Sequence, residues 1–145
     1  IPPSTAISVQ EAIFSGDNAR LKAQIQTLLP QSVRSFDTAG ENFYHGFMLG
    51  LCVLLGGAFV TSNRESGDGR YDIQLKLTKK EFPGILIELK AEKNRSDEQL
   101  KKLSETALQQ INDKKYETEL TTAGVRTIYK YGVAFSGKKV EVTVG

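Results

Sequence analysis

The sequence predicts an α/β fold in which helices flank one mixed β-sheet. Three observations lead to this prediction. An apolar helical segment precedes a short strand near residue 58, two alternating strands follow between residues 67 and 90, and a long amphipathic helix separates them from two further strands. The order helix, three strands, helix, two strands contains no internal repeat, so we expect one sheet to collect all five strands.

Composition places the chain among ordinary globular proteins. Its 145 residues suffice for one domain with a sizeable core, and 39% hydrophobic and 25% charged residues are typical of that class. A net charge of +2 permits an anionic partner but is well below that of strongly basic nucleic-acid-binding domains. The single cysteine, Cys52, excludes an internal disulfide, and the longest apolar run is too short to span a bilayer.

The first residues predict a helical lead-in. The chain begins with IPPSTA and not with methionine, so we expect a fragment of a longer protein. We expect an intracellular location, with secretion as an effector as the alternative. Residues 1–10 are rich in proline, serine and threonine, and we expect them to pack poorly. A helical pattern over residues 9–29 is interrupted near Gly16, and Pro30 is predicted to end it. We divide the chain into a lead-in, residues 1–35, and an α/β domain, residues 36–145.

A second helix is predicted from residue 40 to residue 55. Thr38 and Glu41 have capping-box spacing, and the helix is apolar nearly all round. Glu41 has two interpretations, a capping acid favoured by the helix dipole or a further acid of a polar site. His45, the single histidine, is interpreted as a partly buried hydrogen-bonded side chain, with contact to a nucleic acid as the alternative.

The most informative stretch, residues 67–90, predicts an antiparallel hairpin. Each strand carries apolar residues at every second position: Tyr71, Ile73, Leu75 and Leu77 in the first, Ile85, Ile87 and Leu89 in the second. Because side chains alternate along a strand, Asp72, Glu88 and Lys90 fall together on the opposite face. Two carboxylates and a lysine there indicate either a solvated surface or a metal site.

The helix after the hairpin is predicted from residue 98 to residue 120, with a cap within residues 94–97. Its stripe toward the sheet consists of Leu100, Leu103, Ala107 and Ile111. Helical geometry places Gln110 beside this stripe, so we expect it to face the polar side of the hairpin. Strands are predicted over residues 125–135 and 139–144.

The hairpin residues suit metal-assisted hydrolysis of a phosphodiester. Neighbouring carboxylates repel each other unless a proton or a cation neutralises them. Oxygen ligands favour Mg²⁺ or Mn²⁺, and the main-chain carbonyl of Leu89 is a further candidate ligand beside Asp72 and Glu88. Lys90 is placed to hold or deprotonate the attacking water and to stabilise charge on phosphorus. The sequence supports no Ser/His/Asp or Cys/His arrangement, and no phosphate-binding loop is present.

Asp72, Glu88 and Lys90 give the pattern D-x15-E-x-K, which resembles the PD-(D/E)XK nuclease superfamily. Longer segments such as ENFYHGFMLGL, SNRESGDGRYDIQL and YGVAFSGKKVEV resemble the nuclease-like domain at the C-terminus of bacterial AAA-ATPase-like proteins. The resemblance covers residues 36–144 and implies a restriction-endonuclease-like αβββαβ core. Tyr71 stands where the superfamily name has proline, a position that carries no ligand.

The resemblance implies a metal-dependent nuclease, with DNA favoured over RNA. Glu41 matches the acid on the first helix of the family and is a further metal candidate, and Gln110 matches a glutamine that follows the E-x-K strand in some members. Contacts to the nucleic-acid backbone are expected from basic residues close to the site in sequence: Arg64, Arg70, Lys93 and Arg95. The alternative is a nuclease-shaped domain that no longer cuts and serves as a recognition module for nucleic acid or protein within the parent protein.

Overall fold

The computed structural model describes the backbone of residues 3–32, 41–53, 58–64, 71–77, 83–111 and 127–145, together with residues 118, 121, 122 and 124. The described helices are α1 (Pro3–Ser15), α2 (Asn18–Ser32), α3 (Glu41–Val53) and α4 (Asp97–Gln109). The strands are β1 (Ala58–Arg64), β2 (Tyr71–Leu77), β3 (Gly84–Ala91), β4 (Ile128–Ser136) and β5 (Lys139–Val144). For β1 and β2 the description covers the course of the strands and their pairing.

The five strands form one mixed sheet in the order β1-β2-β3-β4-β5. The pairs β1–β2, β2–β3 and β4–β5 are antiparallel, whereas β3 and β4 are parallel and are connected through α4. Parallel neighbours need a crossover connection, and a helix is the usual one. The predicted α/β class, the mixed sheet and the αβββαβ order are therefore confirmed.

Three helices pack on one face of this sheet. Apolar residues of α1, α2 and α3 share a core with alternate residues of β3, β4 and β5, among them Ile87, Tyr131, Val133 and Phe135. The ring of Tyr44 in α3 stacks on Phe135, with ring centroids 4.5 Å apart, and its hydroxyl donates to the carbonyl oxygen of Gly137 at 2.9 Å. Burial raises the pKa of Tyr44.

The other face of the sheet carries α4. This helix packs over β4 and β5 and reaches β3, and its end forms a second apolar cluster with Leu86 and Ile128. Ser96 caps the helix N-terminus in a complete capping box with Gln99. The predicted helix to residue 120 is wrong at its end, because α4 finishes at Gln109. Residues 112–117, 119 and 120 of the predicted helix lie outside the described residues, and Thr118 is helical.

Helix α1 begins earlier than the predicted helical pattern, which started at residue 9. It covers residues 3–15, and its apolar residues at helical spacing, Val9, Ala12 and Ile13, are at most 1% exposed. Within residues 1–10, Val9 is buried, whereas Ser4 and Ile7 are exposed, so the predicted loose packing holds for part of this stretch. The boundary at residues 35 and 36 lies outside the described residues and stays a prediction.

The turn between α1 and α2 follows the predicted chemistry. Gly16 has φ +73°, a left-handed conformation that glycine adopts without strain, and the side chain of Asp17 accepts from the backbone N–H of Arg20 at 3.1 Å. Pro30 does not end the helix, which continues to Ser32. Proline in the last turn removes one backbone hydrogen bond but keeps a helical φ, so two more residues follow.

Candidate active site

The register of the strands brings the predicted acidic residues together. Asp72 of β2 pairs directly with Glu88 of β3. Residues opposite each other in an antiparallel pair occupy one face of the sheet. The same row continues across all five strands as Asn63, Asp72, Glu88, Gly132 and Thr143, and we call it the Glu88 row. The hydroxyls of Thr143 and Ser104 of α4 lie 2.7 Å apart, so the row lies on the α4 face.

The burial of Glu88 bears on the two interpretations of the hairpin face. Glu88 is only 2% exposed, which excludes a solvated surface carboxylate. Lys90 stands two residues further along β3, on the same face, and is half-buried. A buried carboxylate needs a donor, a cation or a proton to balance its charge. The position of Glu88 is therefore that of a residue with a specific partner.

The site lies where β2 begins and β3 ends. Tyr71, the first residue of β2, pairs with Leu89, while Lys90 and Ala91 continue along β4. Leu89, whose main-chain carbonyl is predicted as a ligand, is thus the last residue of β3 that pairs with β2. The side chain of Leu89 is buried in the core on the opposite face.

Gly132 lets α4 lie unusually close to the row. A Cβ atom at Gly132 would lie 2.1 Å from the carbonyl oxygen of Ser104 and 2.5 Å from the backbone nitrogen of Leu108. Real Cβ atoms do not approach backbone atoms this closely, so only glycine fits at this position. Because Gly132 pairs with Glu88, the close contact fixes α4 directly beside the buried carboxylate.

Gln110 is the C-cap residue of α4, about 160° around the helix from Leu108. Leu108 packs against Leu86 of β3 and lies near Gly145. The orientation of Gln110 toward the polar side of the hairpin stays a prediction. The side-chain oxygen of Gln110 is buried and has no hydrogen-bond partner among the described residues. Such a buried acceptor requires an explanation, and a bound group at the polar site would supply its donor.

Glu41 begins α3 at the same end of the sheet as Lys90. The Tyr44 hydroxyl bonds to the turn after β4, so the first turn of α3 lies where β3 and β4 end. The role of the Glu41 carboxylate stays a prediction, because this side chain lies outside the description. His45 is half-buried in the same helix, as expected from its main interpretation.

The four basic residues predicted to contact phosphates divide into two pairs. Lys93 and Arg95 lie in the exposed connection between β3 and α4, where the Arg95 guanidinium bonds to Glu92 at 2.8 Å. Arg64 ends β1, one residue after Asn63 of the Glu88 row. Arg70 lies outside the described residues. The proposed phosphate contacts of all four stay predictions.

Other chemistry has little support in the described part of the chain. Burial raises the pKa of Cys52 to about 12, which keeps its thiol protonated and unreactive. Among the described side chains, no three histidine, cysteine or acidic residues form a group that could hold a metal ion. The side chains of Asp72 and Glu41 are not among those described. None of the described helices combines the length and the apolar character that crossing a membrane requires.

A mixed sheet between two helical layers, with an Asp–Glu–Lys set at the start of β2 and the end of β3, defines a restriction-endonuclease-like α/β protein. The family model of the PD-(D/E)XK nuclease superfamily matches residues 39–144, and the chain belongs to this superfamily. The family implies a nuclease with a nucleic-acid substrate, and its members generally use divalent metals. No curated protein matches the chain.

Sequence reasoning missed two positions of the Glu88 row. Asn63 stands next to Asp72 in the Glu88 row, but its place depends on the β1–β2 register, which alternation alone does not determine. Gly132 permits the approach of α4, and a glycine in a strand was the available signal, since such a residue often marks a close backbone contact.

Proposed function

We propose that the protein is a metal-dependent nuclease that hydrolyses phosphodiester bonds, with DNA as its preferred substrate. The observation that carries the proposal is the burial of Glu88 at 2% exposure, beside Lys90 and in direct register with Asp72. A carboxylate in this position contributes little to packing but can serve as a ligand. Metal dependence and DNA preference go beyond family membership, and experiment must test both.

Asp72 and Glu88 would hold the metal, with the Leu89 carbonyl and Glu41 as further candidate ligands. Oxygen donors from two neighbouring strands suit a hard divalent cation such as Mg²⁺ or Mn²⁺. When bound, the cation would polarise the phosphate and lower the pKa of a coordinated water. Lys90 would hold the attacking water and offset the negative charge that grows on phosphorus. Gln110 would accept a hydrogen bond from a group in the site.

The test is cleavage of plasmid DNA, single-stranded DNA and RNA by the purified chain with Mg²⁺, with Mn²⁺ and with EDTA. We expect cleavage that needs the metal and favours DNA. Asp72→Asn, Glu88→Gln and Lys90→Met should each lower the rate at least about a hundredfold, because each removes a charge that the reaction uses. Glu105→Gln, which changes an exposed carboxylate of α4, should cut as the parent does.

Binding measurements separate the nuclease from the recognition module. Isothermal calorimetry should detect divalent metal binding to the parent and its loss in Glu88→Gln, with thermal unfolding as the check on folding. Cleavage by folded Lys90→Met at the parental rate would contradict the role of Lys90. Nucleic-acid binding without cleavage in any metal would favour the recognition module.

A further inference from the structure

The connection from β3 to α4 lies against the turn between β4 and β5, although the two are far apart in the sequence. The backbone N–H of Glu92 donates to the carbonyl oxygen of Phe135 at 3.0 Å. The backbone N–H of Arg95 donates to the side-chain oxygen of Ser136 at 3.0 Å, and the ammonium group of Lys139 donates to the carbonyl oxygen of Arg95 at 3.4 Å. These contacts join the two connections into one surface, which we call the basic rim: residues 92–95 and 136–139.

The backbone of the basic rim is fixed, whereas its charged side chains face solvent. Asn94 and Gly137 turn the chain with φ +57° and +58°, and the Tyr44 hydroxyl of α3 donates to the carbonyl oxygen of Gly137 at 2.9 Å. The side chains of Arg95 and Lys139 are 42% and 51% exposed. A ligand that approaches from solvent therefore reaches these charges without any rearrangement of the backbone.

Positive charge predominates in the basic rim. One acid, Glu92, stands beside four cations: Lys93, Arg95, Lys138 and Lys139. Two exposed ion pairs, Arg95–Glu92 at 2.8 Å and Lys139–Asp97 at 3.4 Å, lie within or beside it. Exposed ion pairs contribute little free energy, so a phosphate can replace these carboxylates at small cost. Guanidinium and ammonium groups both donate to phosphate oxygens, so the basic rim suits a row of phosphates.

We propose that the basic rim binds the phosphate backbone of the nucleic-acid substrate on one side of the bond to be cut. The proposal rests on the proposed function and adds Lys138 and Lys139 as substrate-binding residues. Lys90 of the candidate site stands two residues before Glu92, so the basic rim continues directly from the site. From Glu88 to Glu92 the chain advances about 13 Å, the axial length of about four nucleotides. A backbone held at the acidic pair therefore reaches the basic rim.

Binding through phosphates has a measurable signature. Such contacts fix the position of a nucleic acid but do not read its sequence. Each cation that binds a phosphate releases counterions, so the logarithm of the affinity falls with the logarithm of the salt concentration by about 0.9 per contact. The basic rim should therefore affect the salt dependence of binding and KM. It should not affect kcat, because its cations do not contact the phosphate that is cut.

Fluorescence anisotropy with a labelled DNA duplex in EDTA, at about 50 to 200 mM salt, tests the basic rim. The double variant Lys138→Gln/Lys139→Gln should bind about tenfold more weakly at the lowest salt, with a salt slope that is shallower by about 1.8. A duplex of unrelated sequence should show the same loss. In cleavage assays with Mg²⁺, KM should rise about tenfold while kcat stays at the parental value.

Two matched double variants serve as controls. Lys138→Arg/Lys139→Arg keeps both charges and should bind as the parent does. Arg20→Gln/Lys130→Gln also removes two cations, but Arg20 contacts Glu11 of α1 and Lys130 lies near the start of β4, at the opposite end of the sheet. Because salt screens such distant charges, this variant should keep the parental affinity within about twofold. Thermal unfolding followed by circular dichroism checks that each variant is folded.

The outcomes separate this proposal from the nuclease itself. Parental affinity and salt slope in Lys138→Gln/Lys139→Gln, with cleavage still dependent on Lys90, would reject the basic rim and leave the nuclease intact. An equal loss in either control variant would also reject it, because the loss would not come from charge in the basic rim. A fall in kcat at unchanged KM would reject a role in binding. A parent chain that neither binds nor cuts any nucleic acid would reject the nuclease and the basic rim together.

Discussion

One face of β3 packs Ile85 and Ile87 against the helices α1 to α3, whereas the opposite face turns Leu86 and Glu88 toward α4. All four side chains are at most 3% exposed, so burial does not distinguish the two faces. The two faces differ instead in the chemistry of the side chains that they bury. Burying an isoleucine stabilises the fold by about 1.5–3 kcal/mol, whereas burying a carboxylate costs free energy unless a partner balances its charge.

The comparison teaches that the sheet separates stability from chemistry by face. The face toward α1–α3 gathers the large apolar side chains and supplies most of the core. The face toward α4 carries a smaller apolar cluster and the Glu88 row. Substitutions on the first face should therefore act mainly on the free energy of unfolding. On the second face they should act on α4 packing or on the site.

The largest expected effect is that of Gly132→Ala on the α4 face. The added methyl group would meet the backbone of Ser104 and Leu108, which cannot move without lifting the helix from the sheet. We expect the free energy of unfolding in urea to fall by about 3 kcal/mol or more, with loss of metal-dependent cleavage. The matched control is Gly50→Ala, where nothing lies within 4 Å of the added atom.

Gly50 is exposed within α3, and alanine is a better helix former than glycine. Gly50→Ala should therefore leave stability unchanged or raise it by up to about 1 kcal/mol. Equal stability of Gly132→Ala and Gly50→Ala would mean that α4 does not press on the row as the structure describes.

The second prediction concerns the apolar face and the helices that precede the family match. Ile25 of α2 is fully buried, and Ile25→Ala should lower the free energy of unfolding by about 3 kcal/mol. Ile7 of α1 is 56% exposed, and Ile7→Ala should change the free energy of unfolding by less than about 0.5 kcal/mol. Urea titration measures both. Similar small effects would show that α2 contributes little to the core.

The alternation of side chains along β2 and β3 was enough to predict which residues share a face, but not how deeply they are buried. Alternation in β2 and β3 put Asp72, Glu88 and Lys90 on one face, and the direct pairing of Asp72 with Glu88 agrees. The burial of Glu88 could not be predicted, because it depends on α4, which approaches closely through Gly132. The start of α1 at Pro3, ahead of the helical pattern predicted from residue 9, was missed because residues 1–10 are rich in proline, serine and threonine.

A polar contact within the apolar face gives the third prediction. The hydroxyl of Tyr131 donates to the backbone carbonyl of Ile13 at 2.6 Å and ties α1 to the sheet. Tyr131→Phe removes this bond and leaves a buried carbonyl with one partner fewer, so we expect a loss of about 1 kcal/mol in urea unfolding at neutral pH. An unchanged unfolding midpoint would indicate that packing alone holds α1.

Ionisation of the Tyr131 side chain should make the stability of the fold depend on pH. Burial raises the pKa of Tyr131 above its usual range. Below about pH 10 the tyrosine is neutral in both the folded and the unfolded state, so its contribution is fully present. Above that pH the unfolded state loses the proton more readily, and stability falls as pH rises. Tyr131→Phe should therefore lose stability less steeply than the parent between about pH 10 and pH 11.

The smallest expected effect belongs to an ion pair at the rim of the apolar face. Lys22 of α2 contacts Glu141 of β5 at 2.6 Å, and their side chains are 36% and 18% exposed. A double-mutant cycle with Lys22→Met and Glu141→Gln should give a coupling of about 0.5 kcal/mol that decreases in 1 M salt. Arg20 and Glu11 form the comparison pair at 2.8 Å, with exposures of 40% and 58%.

The more exposed pair should couple more weakly, because water and salt screen its charges more fully. Of these two ion pairs, the one between Lys22 and Glu141 joins a helix to the sheet. Its loss should therefore affect how α2 packs on the sheet, whereas loss of the Arg20–Glu11 pair should not. Equal coupling in both pairs, or coupling that does not respond to salt, would mean that exposure to water and salt does not set the strength of these ion pairs.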